Sequence, residues 1–97
     1  MQHGILDSAY CWMMNYPDVT PAFVASRAGY DVWLGNSRGN TFSDKHISLD
    51  KNKNEKKYWN FSWAEMGLYD LPAMFDKVTE VTGREKMAYI GHSQGTT

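Results

Sequence analysis

The chain has 97 residues and a mass of 11.1 kDa, 42% hydrophobic and 22% charged, a composition of globular chains rather than disordered or fibrous ones. With 10 Lys plus Arg against 11 Asp plus Glu the net charge is −1, which leaves no basic excess for phosphate backbones or anionic lipid and makes nucleic acid an unexpected partner. The single cysteine, Cys11, excludes an internal disulfide and a cysteine-rich zinc site and leaves the redox compartment open.

No apolar run approaches the roughly 18 residues needed to cross a bilayer, and Met1 is not followed by the basic, apolar and cleavage regions of a signal peptide. Met1-Gln2-His3-Gly4 reads as the end of a strand and the last residues stop inside a motif, so the chain is expected to be a fragment. Thr20 as cap, Pro21 at the first helical position and Gly29 as a left-handed terminator predict a helix of about two turns. Tyr30-Asp31-Val32-Trp33-Leu34, aromatic and β-branched between two glycines, predicts a buried strand. Residues 35–60 are rich in Gly, Asn, Ser and Asp and predict a long loop, in which Lys51–Lys57 is a solvated charge cluster.

Ser62-Trp63-Ala64-Glu65 matches a capping box, with Phe61 and Met66 placed as a hydrophobic staple, so a helix is predicted to begin there. Leu71, Met74, Val78 and Val81 give it one apolar face, Gly83 ends it, and Pro72 should kink or split it. Lys86-Met87-Ala88-Tyr89-Ile90 then predicts a second short buried strand, and a helix-strand alternation of this kind suggests an α/β sheet. The sequence has no internal repeat.

That second strand runs into Gly91-His92-Ser93-Gln94-Gly95, a G-x-S-x-G nucleophile elbow, in which a strained turn lifts a serine hydroxyl clear of a sheet. Gly91 and Gly95 suit a bend that a Cβ would obstruct. A serine nucleophile needs fixed donors for the developing oxyanion and a general base. The backbone amide of Gln94, directly after the serine, is one candidate donor, and the amide of Ile5 in the His3-Gly4-Ile5-Leu6 loop is the other. The base is not visible: in this fold Asp or Glu and then His follow the nucleophile, and only four residues follow Ser93. His92 points away from the hydroxyl at a sharp turn, and His46 lies in the loop, so both read as non-catalytic.

Gln2-His3-Gly4, the run from Gly29 to Asn40 (GYDVWLGNSRGN), Tyr69-Asp70-Leu71-Pro72-Ala73 and Gly91 to Thr97 (GHSQGTT) together resemble the acid lipase family, which includes gastric and lysosomal acid lipases. The resemblance runs from near the first residue to the last. It implies part of an α/β-hydrolase fold, a parallel sheet segment with flanking helices, in which 1–97 is a fragment of a single domain from oxyanion loop to elbow. It implies cleavage of triacylglycerols or steryl esters at an oil–water or membrane interface through an acyl-enzyme on Ser93. Ile5 and Gln94 would form the oxyanion hole, and the catalytic Asp and His would lie outside these residues. A lysosomal or secreted location follows from the same likeness, and no cofactor or metal is expected; oligomeric state is not legible.

Within Asn36-Ser37-Arg38-Gly39-Asn40, Arg38 is expected to bond backbone carbonyls of a structural turn rather than substrate. Tyr10, Trp12, Met13, Met14 and Tyr16 could line a lipid groove, but core packing is the expected role of most of them. Asn60-Phe61-Ser62 is an N-glycosylation sequon that matters only in a secreted protein. Two other readings stay open: a short chain that does no chemistry, or an esterase of the same fold acting on small soluble esters.

Overall fold

The computed structural model describes residues 1–97. Its centre is the backbone of Gln2, which forms parallel bridges to Gly35 on one side and Gly91 on the other. The Gly35 amide donates to the Met1 carbonyl (3.0 Å), the Gln2 amide to Ile90 (2.8 Å), and the His92 amide to the Gln2 carbonyl (3.1 Å). The start of the chain therefore lies between the segments that end at Gly35 and Gly91.

Pairing stops at these single bridges. Neither Tyr30–Leu34 nor Lys86–Ile90 forms a strand, and neither is buried: Tyr30 is 69% exposed and Ile90 46%. Apolar strands of a parallel sheet are held by layers that cover both faces, and within these residues only one side is partly covered.

Helix α1, Pro21–Arg27, has Pro at its start, and Gly29 follows it at φ +94°, as its sequence predicts. Thr20 occupies the cap position without capping through its side chain. It is fully buried, and its hydroxyl donates to the Tyr16 carbonyl at 2.8 Å, tying the helix entry to the preceding turn. A single turn, α2 (Glu55–Tyr58), interrupts the long loop, and Tyr58 is buried there with its hydroxyl donating to the Asp44 carbonyl (2.6 Å). The rest of the charge cluster is exposed.

Helix α3, Trp63–Glu65, opens with the complete capping box: the Ser62 amide donates to Glu65 Oε2 (2.7 Å) and Ser62 Oγ accepts from the Ala64 amide (3.2 Å). These Ser62 bonds hold the Glu65 carboxyl below its ordinary range, so the cap is complete at neutral pH and weakens as pH falls through that lowered value. A wider π turn, Met66–Asp70, continues directly into α4, Leu71–Thr82. Pro72 lacks the amide that an α-helix would aim at the carbonyl four residues back. The π turn absorbs this, with the Leu71 amide reaching back to the Met66 carbonyl, so the chain passes Pro72 as one helical run. Gly83 ends α4 at φ +69°.

Helix α4 lies on the central junction. A Cβ placed on Gly35 would stand 2.8 Å from Met74 Sδ, and Phe75 packs edge-on against Tyr89 with ring centroids 5.7 Å apart. Leu71, Met74 and Val78 are half-buried as expected, whereas Val81 is 58% exposed and Thr82 takes the inner position.

Only 7 of 97 residues are buried, and Tyr10, Met14 and Tyr16 are largely exposed rather than packed in a core. The accessible surface is 7443 Å², against roughly 5,700 Å² for a folded monomer of this mass. The radius of gyration is 14.6 Å, against about 12.5 Å for a compact domain of this length. An isolated 97-residue chain is therefore expected to bind a hydrophobic dye and to lose ellipticity gradually on heating. Calorimetry tests this: a single sharp transition with an enthalpy of about 60–80 kcal/mol would contradict it.

Candidate active site

Ser93 has φ +55°, in the left-handed region that a residue with a Cβ adopts at a cost of about 1–2 kcal/mol. Two glycines hold it there. A Cβ on Gly91 would run into the Gly95 carbonyl, and one on Gly95 would stand 2.5 Å from the Gln2 carbonyl oxygen and 2.7 Å from that of His3. The elbow is thus folded back on itself and pressed onto the central segment, backbone to backbone. The Gly95 amide closes the turn on the His92 carbonyl at 2.9 Å, and a short 3-10 turn, Ser93–Thr96, follows. The Ser93 side chain is exposed and makes no hydrogen bond within the chain.

The loop after the central segment meets the serine directly. A Cβ on Gly4 would be 2.9 Å from Ser93 Cβ and 3.3 Å from its Oγ, so only glycine lets the backbone pass this close. Beyond Gly4 the chain turns, with Leu6 at φ +56° and both Ile5 and Leu6 exposed. Neither the Ile5 amide nor the Gln94 amide is engaged by a protein acceptor. Gly4, Ile5, Gln94 and Gly95 line one open cleft of about 640 Å³ together with Trp59, Phe61 and Trp63, and Ser93 itself is not among the residues that line it.

What fixes the Gly4 loop is His3, which is buried. Its Nε2 accepts from the Ser37 amide (3.1 Å) and lies 3.1 Å from Asn40 Nδ2, while its Nδ1 stands 2.7 Å from the Gly4 carbonyl. A backbone amide can only donate, so Nε2 is the bare nitrogen and the proton is assigned to Nδ1. Asn40 also donates to Asn36 Oδ1 (2.8 Å), which accepts the Ala9 amide (2.9 Å), and Gln2 Nε2 donates to Ser37 Oγ (2.8 Å). The Asn36–Asn40 loop thus binds the central segment, the Gly4 loop and the 3-10 turn Ala9–Trp12 into one network.

Arg38 differs from its expected role: it bonds the Asp70 carboxylate rather than backbone carbonyls. Its Nε and Nη2 donate to Asp70 Oδ1 at 2.8 and 2.6 Å, its own amide donates to Oδ2 at 3.0 Å, and the guanidinium lies 5.8 Å from the Phe61 ring centre and 5.9 Å from that of Tyr69. Asp70 closes the π turn, so the pair straps the Asn36–Asn40 loop to the helical run. Asp70 and Asn40 carry this frame, and the one sequence signal for Asp70 is its place within a helical run two residues before a proline.

The histidines do not complete a triad. His92 is exposed and contributes only backbone bonds, and His46 Nδ1 accepts from the Ser48 and Leu49 amides in the exposed loop, lining a different cleft. Burial first, and then Asp7, push the Cys11 thiol up, so it is no activated nucleophile.

The profile of the alpha/beta hydrolase fold matches residues 1–97. The chain belongs to the alpha/beta hydrolase fold family. It is 55% identical over 96 residues to Lipase lipl-3 of Caenorhabditis elegans, covering 99% of this chain and 23% of that protein. It is 52% identical over 97 residues both to gastric triacylglycerol lipase of Mus musculus and to Lipase member K of Homo sapiens, covering all of this chain and 24% of each. This α/β-hydrolase chain therefore spans about a quarter of the length of the curated relatives it matches.

In a protein of this family carrying these residues, Gly95→Ala is expected to force the elbow off the central segment. Reaction of Ser93 with a serine-directed phosphonate should slow about 100-fold, as a displacement of about 1 Å allows. Asn52→Ala, on the exposed loop, should leave the rate unchanged; an unaffected Gly95→Ala variant would remove the steric account.

Proposed function

We propose that these residues form the nucleophile segment of a serine hydrolase that cleaves lipid esters, triacylglycerols or steryl esters. The observation that carries the reading is Ser93 held at φ +55° against Gly4, with the amides of the next residue, Gln94, and of Gly4's neighbour Ile5 both free of a protein acceptor. Identity of 50–55% to lipases over the whole chain supports the substrate class.

In this reading a histidine takes the proton from Ser93 Oγ as the oxygen attacks the ester carbonyl, and a carboxylate orients that histidine. Negative charge then grows on the former carbonyl oxygen, where the Ile5 and Gln94 amides donate to it. The alcohol leaves with the proton from the histidine, the acyl group stays on Ser93, and water releases it by the same steps. Gly91 and Gly95 serve by letting the elbow close. No side chain among the 97 residues is placed as the base, so the imidazole and carboxylate are assigned to other parts of a longer protein. Residues 1–97 are read as one stretch of a single hydrolase domain, inactive alone. There the segments ending at Gly35, Gln2 and Gly91 would extend as neighbouring parallel strands once both faces are covered. The working place of such an enzyme is an oil–water or membrane interface, in the lysosome or outside the cell.

A series of esters of increasing acyl length, assayed on the full protein, tests this. The expected result is kcat/KM rising from short soluble esters to long-chain emulsified ones, with Ser93→Ala lowering kcat on the order of 10⁴- to 10⁶-fold. A preference for short soluble esters would favour an esterase of the same fold, and activity surviving in Ser93→Ala would overturn the mechanism.

A further inference from the structure

Asn60-Phe61-Ser62 is the only Asn-X-Ser/Thr triplet in the 97 residues, and nothing in the ester chemistry uses it. The chain has six asparagines: Asn15, Asn36, Asn40 and Asn54 bond other groups through their side chains, whereas Asn52 and Asn60 do not. Asn60 is exposed, and it sits in the short connector between α2 and α3, where its amide group is free on the surface.

We propose that Asn60 carries an N-linked oligosaccharide. The inference rests on the secreted or lysosomal reading above, because the donor is met only on the secretory route. Asn60 Nδ2 attacks the anomeric carbon of a lipid-pyrophosphate-linked oligosaccharide. The carbon–nitrogen bond forms, the bond from that carbon to the pyrophosphate oxygen breaks, the lipid pyrophosphate leaves, and the amide nitrogen loses one proton. No redox change occurs.

The structure adds a constraint on timing. Ser62 supplies the hydroxyl of the triplet, but in the folded chain that hydroxyl donates to Glu65 Oε2 at 2.7 Å and accepts from the Ala64 amide at 3.2 Å. The hydroxyl is free for recognition only before α3 caps, so attachment precedes folding of this segment. Once the sugar is attached, the box closes over a residue that no longer needs to be read.

The two jobs of Ser62 separate by substitution. Ser62→Asp keeps a strong helix cap and destroys the triplet; Ser62→Thr keeps both. The full-length protein is expressed through a secretory route, isolated, digested with a glycan-releasing amidase that converts modified Asn to Asp, and the Asn60 peptide is read by mass spectrometry. Labelling of Ser93 by a phosphonate is read on the same samples. The wild type and Ser62→Thr should show Asp at position 60, whereas Asn60→Gln and Ser62→Asp should show neither the conversion nor the glycan mass, with Ser93 still labelled. Phosphonate-labelled wild type with unmodified Asn60 would overturn the glycan and leave the hydrolase reading intact. Protein retained in the cytosol and unmodified would overturn both the glycan and the compartment, and failure of Ser93 labelling with a modified Asn60 would overturn the hydrolase reading alone.

Discussion

Everything at the site depends on how closely three stretches of backbone approach one another around Gln2. The Gln2 peptide bridges Gly35 and Gly91, and within a few residues Gly95 lies on the Gln2 and His3 carbonyls while Gly4 lies on Ser93. Main chains reach such contact only where no Cβ intervenes, so Gly91 and Gly95 are packing surfaces rather than hinges, while Gly4 makes room for the Ser93 side chain and Gly35 for those of Gln2 and Met74. The strain in Ser93 is stored by the same contacts: the left-handed turn persists because relaxing it would drive the elbow into the central segment.

Around this junction the polar frame works outward in two steps. His3, buried, fastens the Gly4 loop to the Asn36–Asn40 loop, and Arg38 then fastens that loop to the helical run through Asp70. Both use charge or hydrogen bonding where the apolar core is thin, which fits a chain with only 7 buried residues. The Ile5 amide makes no hydrogen bond of its own, and the Gly4 loop before it is fastened through His3. Removing one partner from such a half-buried network leaves the others unsatisfied, and that costs more than the bond itself contributes.

Local rules made part of this legible. The capping box at Ser62–Glu65, the proline start of α1 and the left-handed glycines at 29 and 83 depend on neighbours within four residues, and each is found where the sequence places it. Thr20 is the instructive exception: its position is right, but its hydroxyl is turned to donate to the Tyr16 carbonyl and accepts from no helix amide. Pro72 announced a break, and a π turn removed the need for one. Tyr30–Leu34 and Lys86–Ile90 are not buried strands within these 97 residues, because an apolar stretch states what it can cover, not whether a covering layer is present. The turn that buries Tyr58 is not legible inside a charged loop, since the partner of its hydroxyl, the Asp44 carbonyl, lies 14 residues away. Arg38 was recognised as structural, but its partner lies 32 residues away and no local pattern points there.

The proposed mechanism requires Ser93 Oγ to lie between the Ile5 and Gln94 amides. A crystal structure of the full-length protein after reaction with an alkyl phosphonate tests it most directly. The account predicts phosphorus bonded to Ser93 Oγ and one phosphonyl oxygen about 2.7–3.1 Å from both amide nitrogens. Phosphorus on another residue, or on Ser93 with its oxygens turned away from those amides, would contradict it.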